Sequence, residues 1–212
     1  MKPLYFTFGP REYRPAAVCD VRRFTIAQAL PGDFAEPLSF HIGQEGSLWT
    51  DLIDTNIGVL LFSERVVRAF QEDGITGMSF FEGQISMVRN VRLQRKPSPR
   101  YFWGRALGLI ELDPAAWPGR YVPIRVVGRE RFELFHYGTP RAPSGYACRA
   151  RVLETFRNHR ITNVSVKPTD YHETNSDVFV PPFWIDVLGK KWPPPSWYPK
   201  DFVPHPNNLT AG

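Results

Sequence analysis

The sequence predicts an α+β fold of mainly antiparallel or mixed β-sheets carrying two similar short helix-plus-strand units, around residues 63–80 and 148–166. Three observations predict it. The chain repeats itself: "RVVRAFQEDGITGMSF" (Arg65–Phe80) and "RVLETFRNHRITNVSV" (Arg151–Val166) stand 86 residues apart without a gap, share six of sixteen positions, and differ conservatively at Val67/Leu153, Met78/Val164 and Phe80/Val166. Proline is abundant, at 21 of 212 residues. Because proline lacks an amide donor and fixes φ, it favours short elements, edge strands and ordered connections over a helical bundle. Finally, short runs of strand formers recur between Gly and Pro punctuation along the whole chain.

From the N-terminus, "LYFTF" (4–8), "RFTIAQ" (23–28), "LSFHIG" (38–43) and "IGVLLF" (57–62) read as strands. Ser63 then stands as N-cap, with Glu64 in the first turn where the helix dipole favours an acid. Val66, Val67 and Phe70 form the buried stripe of the helix that follows, while Arg65, Arg68, Gln71 and Glu72 face water. Gly74 can take the left-handed C-cap. "ITGMSFF" returns to strand, followed by "QISMVRNVRL" (84–93), "FWGRALGLIEL" (102–112), "YVPIRVV" (121–127) and "RFELFHY" (131–137).

After a loop, "GTPRAPSG" (138–145), the second copy repeats the stripe as Val152, Leu153 and Phe156, and "ITNVSV" repeats the strand. Asn163 replaces Gly77 and tolerates the same backbone geometry, so the turn is expected to be kept. Arg160 stands where Gly74 stood, so the second helix is expected to end by another route, around Asn158. In each copy a strand, a helix and a strand could pair in parallel by a right-handed crossover.

"VFVPPFWIDVL" (178–188) is a further strand, and the tail "KKWPPPSWYPKDFVPHP" (190–206) reads as an arm that wraps its own domain through Trp192, Trp197, Tyr198 and Phe202. A polyproline ligand for an aromatic groove is the other reading of that tail. The organisation expected is two αβ halves, 1–96 and 97–212, or one continuous domain.

Chemistry-bearing patterns are sparse. Cys19 and Cys148 are far apart with no CxxC, which suggests neither a disulfide framework nor a zinc site. The five histidines stand singly. "GRALG" (104–108) lacks the third glycine of a dinucleotide fingerprint, and "GTPRAPSG" lacks a P-loop lysine. Cys148 beside Arg149 and Arg151 raises the thought of a stabilised thiolate, though packing is the expected role. "DYHETNSD" (170–177) gathers oxygen ligands but lacks EF-hand spacing, so a solvated loop is expected. No catalytic, cofactor-binding or metal-binding residue is therefore assigned. Without a signal-like apolar stretch or a long apolar span, the chain is expected in the cytoplasm.

"LLFSERVVRAFQEDGITGMSFF" resembles the signature of bacterial polymorphic-toxin immunity proteins, the eleventh immunity family and a related myxobacterial paralogous group. The resemblance lies in an apolar strand (Leu60–Phe62) running into Ser63-Glu64-Arg65, a short helix, and the Ile75-Thr76-Gly77 turn. The CxxCG pairs that many myxobacterial relatives hold are missing, so no metal carries over. The resemblance implies a non-enzymatic protein that binds and neutralises a cognate toxin, encoded beside it.

Net charge is +5, and the strongest basic run is "RNVRLQRKPSPRYFWGR" (89–105), with six basic residues and no acid. Such a run attracts an anionic partner. Arg89, Arg92, Arg95, Arg100, Tyr101 and Trp103 are accordingly the candidate partner-binding residues, joining charge to aromatic area. The plainer reading is a solvated strand pair with Trp103 in the core. Two rival functions stand beside immunity: nucleic-acid binding through the same run, although no known module is present, and an enzyme of unrecognised type.

Overall fold

The computed structural model describes residues 5–10, 17–19, 38–43, 49–112, 123–139, 142–161 and 163–168. The expected strands at 23–28 and 178–188, the acidic loop at 170–177 and the proline-rich tail lie outside them. The fold is α+β. Its elements in chain order are β1 (Tyr5–Pro10), β2 (Ala17–Cys19), β3 (Ser39–Ile42), β4 (Leu52–Asp54), β5 (Leu60–Ser63), α1 (Glu64–Glu72), β6 (Met78–Val88), α2 (Val91–Gln94), β7 (Tyr101–Ala106) and β8 (Leu109–Leu112). There follow β9 (Pro123–Val127), β10 (Leu134–Thr139), β11 (Ala142–Arg149), α3 (Ala150–Asn158) and β12 (Val164–Pro168). They make two six-stranded sheets, β2-β3-β6-β7-β5-β4 and β12-β1-β11-β10-β8-β9.

The repeat is a repeat of structure. In the first unit β5 leads into α1 and α1 into β6. Both strands pair antiparallel with β7, so they run parallel to each other with β7 filling the gap. In the second unit β11, α3 and β12 do the same, and the gap is filled by β1 from the other end of the chain. The expected crossover therefore exists as a split one, one strand wider than a direct parallel pair.

The registers coincide. Ser63 lies opposite Tyr101 and its equivalent Arg149 opposite Tyr5; Phe80 lies opposite Gly104 and its equivalent Val166 opposite Phe8. Both gap-filling strands open on Tyr-Phe, Tyr101-Phe102 and Tyr5-Phe6. On the far side, β4 pairs with β5 as β10 pairs with β11, Leu52 opposite Phe62 and Leu134 opposite Cys148. Because β1 belongs to the second unit and β7 to the first, the sheets exchange strands across the expected 96/97 boundary.

Both helices end alike, against the expectation of a different route for the second. The amide of Ile75 donates to Phe70 O at 2.8 Å and that of Ile161 to Phe156 O at 2.9 Å; Gly74 and Arg160 both adopt positive φ, 63° and 51°. A non-glycine residue in this region costs about 1–2 kcal/mol. Arg160 is held there because the isoleucine that follows is fully buried and its own carbonyl accepts a hydrogen bond from Arg65 Nη2 at 2.9 Å. Three positions on, Gly77 and Asn163 share positive φ as expected, 99° and 60°.

Equivalent residues also meet each other. The Phe70 and Phe156 rings lie 5.5 Å apart, and His159 Nε2 lies 3.3 Å from Asp73 Oδ1. A pair of equivalent positions in contact places an approximate two-fold axis between the helices. Around it one core draws on both units, among them Phe62, Val66 and Phe70 with Phe8, Tyr146, Val152 and Phe156. Each fully buried aromatic or branched side chain there contributes about 1.5–3 kcal/mol through removal from water.

Other sequence expectations shift by identifiable causes. The strand expected at 102–112 is two: at Leu107-Gly108 the chain passes from one sheet to the other, and a Cβ on Gly108 would lie 2.7 Å from the Phe135 ring. The strand expected to reach residue 93 stops at Val88. Much of "GTPRAPSG" belongs to a hairpin, β10–β11, and the strand entering α3 is β11 rather than 131–137. Cys148 consequently lies inside a strand, one residue from its end, and is fully buried; burial pushes its thiol well above the ordinary range, which removes the stabilised-thiolate reading.

Candidate partner-binding surface

The structure divides the six candidate residues into three groups. Tyr101 and Trp103 lie on β7 facing the core between sheet and loop, 0% and 4% exposed. Tyr101 donates its hydroxyl to Thr50 O at 2.6 Å, and Trp103 stacks on Phe81 at 4.4 Å. They contribute packing to the first unit and no area to a partner surface. This corrects the joining of charge and aromatic area: Tyr101 and Trp103 share the inward face of β7, while the arginines lie outside the strand, on and around α2 and just before β7.

Arg100 is exposed but engaged. Its Nε and Nη2 meet both carboxylate oxygens of Glu82 at 3.1 and 3.0 Å, Nη1 lies 3.7 Å from Glu64, and the guanidinium sits 5.4 Å from the Phe102 ring centre. The Glu82 carboxyl is held below its ordinary range chiefly by the hydrogen bond from Arg100. A bidentate pair of this kind fixes the guanidinium geometrically.

Arg89, Arg92 and Arg95 remain. All three are exposed, and no acidic side chain among the described residues pairs with any of them. The contrast is with Arg65, Arg68, Arg100, Arg125 and Arg151, each beside a carboxylate. Their position follows from a local cause. Asn90 caps a short helical turn, accepting from the Arg92 amide at 2.9 Å, and Gln94 Nε2 donates to Val88 O at 2.6 Å. Leu93 is fully buried beneath the turn, which pins α2 by its one apolar anchor and turns the arginines outward.

Beside them lies exposed apolar surface that the sequence reading missed. Val18 on β2 lies opposite His41 on β3, and His41 opposite Met87 on β6, so the three form one row across the sheet. Val18 is 43% exposed, Met87 48%, and Val91 at the start of α2 58%. The inward neighbours Ala17, Cys19, Phe40 and Ile42 are buried. The row was hidden because β2 and the β3–β6 pairing depend on tertiary structure, although Met87 and Val91 bracket Arg89 in the sequence itself.

A second polar cluster is internal. His136 on β10 is buried, its Nε2 accepting from the Ala106 amide at 3.2 Å and its Nδ1 donating to Gly145 O at 3.1 Å. Burial lowers its pKa to about 4, so the imidazole is neutral and ties the two sheets together. Among the described residues no three His, Cys, Asp or Glu side chains converge on a common metal position, and no helix is long and apolar enough to cross a membrane.

No protein-family model matches the chain, and no curated protein matches it at a significant level. The resemblance drawn from the residues therefore stands on those residues alone. In the fold they are the β5–α1–turn segment of the first unit, where Arg65 and Gly77 have structural tasks: Arg65 binds the buried carboxylate of Asp51, and Gly77 lies against the second unit's β10.

Proposed function

We propose that this chain is an immunity-type protein that binds a toxin made by the same cell and neutralises it by surface complementarity, without catalysis, in the cytoplasm. The observation that carries the reading is the cluster of three unpaired arginines, Arg89, Arg92 and Arg95, beside exposed Met87 and Val91. The likeness of residues 60–81 to the immunity signature supports it independently. Inhibition by occlusion needs a rigid face of about 600–1,000 Å² on each partner, with a few arginine or apolar anchors. The turn from β6 into α2 is pinned by buried Leu93 and by the hydrogen bond from Gln94 Nε2 to Val88 O, which limits the ordering cost of binding.

The test is co-expression with the product of the neighbouring gene. A stable complex, together with rescue of growth when that product is toxic, is the expected result; neither complex nor rescue overturns the reading. A nucleic-acid partner is the second reading, carried by the same arginines. It predicts binding to random duplex DNA that weakens steeply with added salt as counterions are released.

A further inference from the structure

We infer that Val18, Met87, Val91, Arg89, Arg92 and Arg95 form one docking surface, and that its occupant is an acidic protein segment with an apolar centre. The inference deepens the immunity reading and rests on it for the partner's biological identity; the surface itself rests on register and exposure.

The cross-strand register puts Val18 and Met87 on the same outer face of β2-β3-β6, with the core on the other. Four residues beyond Met87, Val91 is the most exposed large apolar side chain among those described. Scattered exposed apolar residues are ordinary, but Val18 and Met87 in one row across β2-β3-β6, with Val91 and three cations following the end of β6, are not. Apolar area bordered by arginine matches the composition of protein interfaces, where methionine and arginine are enriched and acids depleted.

Charge complementarity selects the occupant. Three cations within seven residues, uncompensated by any described acid, repel a basic face and favour carboxylates, and arginine engages carboxylate bidentately. A single-stranded nucleic acid would need aromatic platforms for its bases, and the exposed apolar groups here are aliphatic or thioether. Of the segment's aromatic residues, Tyr101 and Trp103 are buried, and Phe102 is half-buried with the Arg100 guanidinium already over its ring.

The experiment measures fluorescence anisotropy with the full-length protein and three probes. These are a labelled Asp/Glu-rich peptide with Leu at regular intervals, the same peptide with Ser for each Leu, and random duplex DNA of equal charge. The acidic apolar peptide is expected to bind at least about tenfold tighter than the other two. Arg92→Glu with Arg95→Glu should weaken it by about tenfold or more, and Met87→Ser with Val91→Ser should reduce it to the level of the Ser peptide. Circular dichroism confirms that each variant is folded; Arg68→Glu with Arg157→Glu, at exposed positions of α1 and α3, is the charge-matched control and should leave binding unchanged.

No peptide binding, equal or tighter binding of DNA, or indifference to both double variants overturns the surface. A complex with the neighbouring gene's product that survives both double variants overturns the surface while the immunity reading stands. Peptide results as expected, with no such complex, leave the surface intact and overturn the immunity reading.

Discussion

The two units solve the same packing problem with different residues, and the differences show which parts of the repeat are chemically fixed. Each carries an arginine as the second residue of its helix, Arg65 or Arg151, and each arginine reaches an acid just before the neighbouring strand of its own sheet, Asp51 or Glu133. Each then crosses to the other unit's helix end: Arg65 donates to Arg160 O and Arg151 to Asp73 O. The backbone makes the same exchange, since the Ser63 amide donates to Asp51 O and the Arg149 amide to Glu133 O.

At the turn after the helix the exchange is reciprocal but not identical. Gly77 approaches Leu134 so closely that a Cβ would lie 2.5 Å from its carbonyl oxygen, whereas Asn163 stands off and bridges to Leu52 O through Nδ2 at 2.8 Å. Leu52 and Leu134 hold equivalent places in the two sheets. One unit makes the contact with backbone, the other with a side chain.

The largest expected effect follows from that asymmetry. Gly77→Ala should destabilise the protein by about 3 kcal/mol, because the new methyl meets a backbone oxygen at positive φ, while Asn163→Gly should cost only about 1 kcal/mol for its lost hydrogen bond. Urea denaturation of both variants measures the difference; equal costs would contradict it.

The next comparison is electrostatic. Asp54 and His136 hold equivalent places on β4 and β10, and burial raises the first while lowering the second to about 4. The unfolded chain protonates this histidine near pH 6.5 and the folded chain resists doing so. His136 therefore contributes stability fully above about pH 6.5, and up to about 3 kcal/mol of it is lost as pH falls from there through 4. His136→Gln should flatten the stability profile in that window, read by denaturation at stepped pH. Asp54 acts in the opposite sense, since its raised pKa makes the folded state relatively more tolerant of acid.

The arginine clasps rank third. Arg65→Met leaves the buried Asp51 carboxylate without its cation and should cost about 2 kcal/mol, discounted because half of the arginine side chain is exposed. Arg151→Met should cost about 1 kcal/mol, since its acid lies 3.8 Å away. Double-mutant cycles with Asp51→Asn and Glu133→Gln separate the pair terms. The smallest effect is a gain: Arg160→Gly relieves the left-handed strain and should raise stability by about 0.5–1 kcal/mol.

Much of this was legible in the sequence because it is local. The repeat offset, the stripe Val66-Val67-Phe70 and its copy, and the positive φ at Gly74, Gly77 and Asn163 all follow from nearest-neighbour chemistry; Ser63 stands at the N-cap as expected, but its hydroxyl donates to Asp51 Oδ1 rather than capping the helix. What escaped was non-local. Nothing near Tyr5 announces that its strand fills the gap in a unit more than a hundred residues away, although the shared Tyr-Phe opening of β1 and β7 is visible afterwards. α3 does end at Asn158 as expected, but the same cap as in α1 was not foreseen, because the support for Arg160 comes from Arg65, 95 residues away. The candidate surface was half legible: charge at 89–95 could be counted, while the burial of Tyr101 and Trp103 and the row through Val18 depended on pairing.

The placement of the N-terminal strand in the second unit is the claim on which the duplicated architecture depends, and a single cross-link tests it. Thr7 and Ala147 are opposite each other in β1 and β11. Thr7→Cys with Ala147→Cys should form an intramolecular disulfide on mild oxidation of the folded protein, seen as a reduction-sensitive mobility shift and confirmed by peptide mapping. If residue 7 instead links to neither residue 147 nor the native Cys148 beside it, or is captured by a cysteine placed at Leu61, the equivalent position in the first unit, then β1 does not complete the second unit.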